Sequence, residues 1–140
     1  MTFQSKCRIL VVDDEGAVRE LLTDFLTRRG YGVVSAGSIA KAREILCNEF
    51  FQLLILDVVV GDEDGLDFLD ECHRDHPHLP VLILTGLGYD EEILQEALHN
   101  GAAGYLSKTL GLRQLEMEIH RVLGWSNIAS LGGPRSPLRA

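Results

Sequence analysis

A chain of 140 residues is long enough for one domain with a single core, and 46% hydrophobic with 24% charged residues is the balance of a globular protein, not a disordered one. The formal net charge of −8 and a pI of about 5.0 argue against direct nucleic-acid binding, which needs a basic surface. Residues 1–6 lack the apolar stretch of a signal peptide, and no apolar run approaches the roughly 20 residues that span a bilayer, so a cytoplasmic location without membrane contact is expected.

Five apolar runs punctuate the chain: Ile9 to Val12, Val33 to Ala36, Leu53 to Leu56, Val81 to Leu84, and Ala103 to Leu106. Most are too continuous for strands with one wet face and suit parallel strands buried on both faces. Helical spacing fills the intervals. Val18, Leu21, Leu22, Phe25 and Leu26 share a face that Gly30 terminates. Ser38 is placed to cap a helix carrying Ala42, Ile45 and Leu46. Leu66, Leu69 and Cys72 form a weaker stripe ending before the Pro77 to Pro80 region. Asp90 can cap a helix with Ile93, Leu94, Ala97 and Leu98 inward, closed by Gly101. Leu112, Leu115, Ile119, Val122 and Leu123 make the last stripe, stopped near Gly124. Strand and helix alternate five times, which predicts an α/β fold: a five-stranded parallel sheet flanked by five helices. Residues 125–140 lose the apolar face and gain Gly132, Gly133, Pro134 and Pro137, as in a flexible tail or the start of a linker.

In such a sheet, ligands bind beyond the carboxyl ends of the strands. The first run ends in Asp13, Asp14 and Glu15, the third in Asp57, the fourth in Thr85, and the fifth in Ser107 and Lys108. Like charges about 4 Å apart repel by roughly 4 kcal/mol at an effective dielectric of 20, so the acids need a neutraliser. A hard divalent cation such as Mg²⁺ suits them. An aspartate beside it could attack phosphorus, and an ammonium could screen the phosphoryl oxygens. Taken singly, Asp13 and Asp14 could merely favour a helix N-terminus, Asp57 could be a turn residue, and Lys108 a solvated charge. Their convergence favours phosphoryl chemistry.

The sequence resembles the receiver domain of bacterial two-component response regulators. The likeness rests on ILVVDDE from Ile9, LLILDVVVGDEDG from Leu53, LILTG from Leu82 and GAAGYLSK from Gly101, and covers about residues 6–124. It implies a flavodoxin-like doubly wound sheet with strand order 2-1-3-4-5. It also implies Asp57 as phosphoacceptor, with Mg²⁺ held by Asp13, Asp14, Asp57 and the backbone carbonyl of Val59. Lys108 would pair with the phosphoryl oxygens. Thr85 would move to bond the phosphoryl group, Tyr105 would swing inward as a switch, and small Gly86 would keep the site open. The implied partner is a sensor histidine kinase or a histidine phosphotransfer protein. Phosphorylation would reshape the face of the fourth helix, fifth strand and fifth helix, which is also the candidate homodimer contact. The implied role is regulatory and not enzymatic, limited to self-phosphorylation from a donor and slow autodephosphorylation.

Two departures stand out. Thr109 follows the lysine where the family usually has proline, so a trans bond is expected there, and Gly61 stands where a proline is usual. In the resembled family, two positions flank the path of attacking water; here they are Val59 and Leu87, neither of which can orient it, which predicts a long-lived phosphoryl group. Two alternatives remain: an interaction module of the same fold acting without phosphate, and a Mg²⁺-dependent phosphohydrolase with an aspartyl-phosphate intermediate. Val59, where such hydrolases place an acid, opposes the second. His73, His76 and His78 in HRDHPH run past Pro77 and read as a solvated helix end, not a metal site. Trp125 would fold back onto the domain or mark an interface. The three cysteines read as reduced thiols.

Overall fold

The computed structural model describes residues 7–86, 90–109 and 111–124. The expectations for Leu87, Trp125 and the tail over 125–140 lie outside the described residues. In chain order the elements are β1 (Arg8–Val12), α1 (Gly16–Arg28), β2 (Gly32–Ala36), α2 (Ile39–Asn48), β3 (Leu53–Asp57), β4 (Val59–Val60), β5 (Glu63–Asp64), α3 (Gly65–Asp75), β6 (Val81–Thr85), α4 (Glu91–His99), β7 (Gly104–Ser107) and α5 (Leu112–Leu123).

The five longer strands form one parallel sheet in the order β2-β1-β3-β6-β7. Since β4 and β5 pair only with each other, this is the doubly wound order 2-1-3-4-5 counted over the sheet strands. Side chains alternate across a strand, and here both faces are apolar. Leu10, Val12, Leu54, Leu56 and Ile83 pack with α2, α3 and α4. Ile9, Val11, Leu53, Ile55, Leu82 and Leu84 pack with α1 and α5. The continuous aliphatic runs thus become central strands, while β2 is half-buried at an edge.

Local signals act as the sequence suggests. Ser38 Oγ accepts the Lys41 N–H at 3.1 Å, and Asp90 Oδ1 accepts those of Glu92 and Ile93. Two expected inward residues point outward: Leu21 is 52% and Leu98 47% exposed. On α1, Leu22 and Leu26 occupy the inward arc. On the nine-residue α4, only Ala97 is buried, because the chosen stripe was wider than the arc the helix turns toward the sheet. Among the described residues, no helix is long and apolar enough to cross a membrane.

The three thiols are free. Cys72 is buried in the core, and burial pushes its thiol up to about 12, whereas Cys47 is exposed. The thiolate is the reacting species. Alkylation of native protein at neutral pH, followed by peptide mapping, is therefore expected to modify Cys47 at least about 100-fold faster than Cys72, a difference that disappears in denaturant.

Candidate functional site

The site forms where adjacent parallel strands end together. Val12 is in register with Leu56, so the residues that follow, Asp13 and Asp57, lie side by side. Thr85 ends β6, in register with Ser107 of β7, and Lys108 comes next. The Lys108 backbone N–H donates to the Thr85 carbonyl at 2.6 Å, fixing the start of its loop.

Asp13 and Asp57 are buried, while Asp14 is exposed. Carboxylate oxygens of all three lie within 4.8 Å of one another. Among the described residues they form the one group of three or more acids, histidines or cysteines close enough to hold a metal ion, so HRDHPH makes no such cluster. Lys108 Nζ reaches Asp13 Oδ2 at 2.7 Å, Asp57 Oδ2 at 2.9 Å and Glu15 Oε1 at 3.0 Å. Burial alone would lower the lysine's pKa. Hydrogen bonds to the three carboxylates outweigh that and hold it above the ordinary lysine range. Burial raises the Asp57 pKa, with Asp13 adding repulsion, and the Lys108 bond only partly opposes them. Hard oxygen donors around one shared ammonium are a donor set that Mg²⁺ fits.

Asp57 Oδ2 is taken by Lys108, whereas among the described residues Oδ1 has only the Val59 N–H at 3.5 Å. Val59 is 45% exposed. It begins a hairpin that the sequence reading did not include. Val59 pairs with Asp64 and Val60 with Glu63 across a two-residue turn. Gly61 has φ of +65° and Asp62 does not share that sign, the pattern of a type II′ turn. Proline, fixed near −65°, could not make this turn, so the glycine departure gives the loop its own shape.

The second departure also has a local replacement. Ser107 Oγ lies 2.8 Å from Thr109 Oγ1 and accepts the Thr109 N–H at 3.1 Å. A side-chain turn thus shapes the chain where a proline ring is usual, and the peptide bond is trans. Thr85 is fully buried. Tyr105 is half-buried, and its hydroxyl is shut off from water with no hydrogen-bond partner of good geometry among the described residues. Burial raises its pKa, and the backbone of nearby Asp90 only tempers this. A Cβ on Gly86 would touch the Lys108 stem at 3.5 Å.

Three contributors escaped the sequence reading. Glu15 was visible as a third acid but not as a partner of Lys108. Arg19 Nη1 donates to the Asp13 carbonyl at 2.6 Å and packs over Gly37. One helical turn after the acids is the only sequence signal it gives. Gly65 packs directly on the backbone of Asp57, and any Cβ there would collide with the Asp57 carbonyl oxygen.

The family model described as response regulator receiver domain matches residues 9–120. Protein PetR of Rhodobacter capsulatus is 35% identical over 143 residues, covering 99% of this chain and 60% of PetR. Response regulator protein FleR of Pseudomonas aeruginosa is 38% identical over 108 residues, covering 77% of this chain and 23% of FleR. The chain therefore spans less than two thirds of these relatives. A receiver domain protein (CheY-like) from Methanospirillum hungatei superposes with a TM-score of 0.80 at 30% identity, over 86% of this chain and 95% of that one. A response regulator from Burkholderia pseudomallei, crystallised with a phosphorylated aspartic acid, calcium ion and citrate, superposes with a TM-score of 0.76 at 25% identity, over 92% and 76%.

Proposed function

This chain belongs to the response regulator receiver domain family, and on that premise we propose that residues 6–124 form a receiver that accepts a phosphoryl group on Asp57 and switches conformation. The observation that carries the reading is one buried carboxylate with a freer oxygen, flanked by two further acids and bonded to one lysine. Asp13, Asp14 and Asp57, with the Val59 carbonyl, would hold Mg²⁺. The ion would supply positive charge for the phosphoryl oxygens.

Asp57 Oδ1 attacks phosphorus of a histidine-bound or acyl phosphate. The new phosphorus–oxygen bond forms as the phosphorus–nitrogen or phosphorus–oxygen bond of the donor breaks. The leaving imidazole takes a proton from solvent, and a leaving carboxylate departs as the anion. Lys108 donates to the phosphoryl oxygens as they acquire charge. Thr85 then turns its hydroxyl to the same group and Tyr105 fills the space it leaves, reshaping the face of α4, β7 and α5. The added −1.5 to −2 charges favour that state. Leu98 on α4 and Met117 on α5 are exposed apolar side chains that a homodimer or partner contact could cover. The donor would be a sensor histidine kinase or histidine phosphotransfer protein, in the cytoplasm.

Incubation with a small acyl phosphate and Mg²⁺ is expected to add the mass of one phosphoryl group, and chelation of the metal to prevent it. Unchanged mass under both conditions would remove phosphorylation from the function. Val59, 45% exposed two residues after the acceptor, carries no group that can orient a water. Val59→Asn is therefore expected to shorten the phosphoryl lifetime by about 3- to 10-fold, followed by decay of labelled protein. Equal lifetimes would show that this side chain does not set water access.

A further inference from the structure

We infer that Glu15 is a positioning residue for Lys108, the exchangeable partner that occupies the lysine until a phosphoryl oxygen replaces it. An ammonium has three donors, and here three carboxylates crowd it: it donates to Asp57 at 2.9 Å and Glu15 at 3.0 Å and makes an ion pair with Asp13 at 2.7 Å. A phosphoryl oxygen arriving at the ammonium therefore competes with carboxylates already held there.

The three are not equally held. Asp13 and Asp57 are buried and belong to the metal-binding group, and their bonds are the shorter two. Glu15 lies outside that group, its side chain is 62% exposed, and its bond is the longest of the three. Water can therefore solvate the Glu15 carboxylate as it leaves, whereas releasing a buried acid would strand its charge.

Among the described residues the Glu15 side chain has no partner besides Lys108. It is the N-cap of α1 by position, yet its side chain makes no capping hydrogen bond. The local turn uses its backbone, whose N–H donates to Asp13 Oδ1 at 2.9 Å. Replacing the side chain thus leaves the turn and the helix start intact. In the resting protein Glu15 occupies Lys108 and competes with the phosphoryl group, weakening its hold by the small factor expected of an exposed ion pair.

This rests on the reading of Asp57 as phosphoacceptor. The test is the affinity of the Mg²⁺-loaded protein for beryllofluoride, a phosphoryl mimic, in wild type, Glu15→Gln and Glu15→Asp. Competition for Lys108 predicts about 2- to 5-fold tighter binding for Glu15→Gln. Aspartate keeps the charge but is one methylene shorter and cannot reach the ammonium, so Glu15→Asp is expected to resemble Glu15→Gln. Melting temperatures without beryllofluoride should match wild type for both, as a purely structural role would not allow. If Glu15→Asp binds like wild type while Glu15→Gln binds more tightly, the effect is long-range charge and the inference fails. Equal affinity in all three also overturns it, leaving the receiver reading in place. Absence of binding by wild type overturns both.

Discussion

Asp57→Asn is expected to lower phosphoryl acceptance from a small acyl phosphate by at least about 100-fold, since an amide oxygen carries no charge and is a poor nucleophile. The other site groups remain, so the loss reads on the acceptor alone. The same substitution makes a second, opposite prediction for stability. Burial raises the Asp57 pKa above its ordinary 3.8. A carboxyl that ionises less readily when folded destabilises the fold wherever it is ionised, fully above its folded pKa and not at all below the unfolded one. In metal-free buffer Asp57→Asn should therefore melt higher than wild type at neutral pH, and the two should converge as pH falls below about 4. Labelling of the variant at wild-type extent would move the acceptor elsewhere.

Gly65→Ala is expected to impair both folding and acceptance. A Cβ at this position collides with the Asp57 carbonyl oxygen and comes within 2.8 Å of that of Val58. These are backbone atoms, so no side-chain rotation relieves the clash. The start of α3 must move away from β3, and the Gly65 N–H bond to Val58 stretches with it. Overpacking of this kind costs typically 1–3 kcal/mol, or roughly 3–10 °C in melting temperature for a domain of this size. Because the displaced backbone belongs to Asp57, phosphorylation should slow even where the variant is fully folded. Chemical denaturation and labelling rate, measured at the same temperature, separate the two effects. A variant matching wild type in both would mean that the loop accommodates the methyl group.

The sheet was legible because its central strands are unbroken aliphatic runs, a pattern few other environments accept. The candidate site was legible for the same reason: four of the five runs end abruptly in a charged or hydroxyl residue, so Asp13, Asp57, Thr85 and Lys108 follow from knowing where those runs stop. What escaped depends on facing elements. Leu98 has the right spacing, but how much of α4 touches the sheet is decided by its neighbours. Glu15 meets a lysine 93 positions away, and nothing local announces that. The hairpin after Asp57 turned on Gly61, whose positive φ could have been suspected once proline was missing. Nothing in the sequence around Gly65 announces the Asp57 and Val58 backbone it packs on.

The order of the strands has a consequence for synthesis. β3 is wholly buried and pairs on one side with β1, already made, but on the other with β6, which is completed 28 residues later. At translation rates of about 5–20 residues per second, that partner takes roughly 1–6 seconds to appear. Until then Leu53, Leu54, Ile55 and Leu56 sit on an open edge with unpaired backbone groups, the template on which chains stick together. Fragments ending before Val81 would keep that edge permanently and are expected to aggregate. A nascent chain stalled in the same interval would meet the same hazard, which makes the stretch between β3 and β6 the part of the protein most dependent on prompt completion.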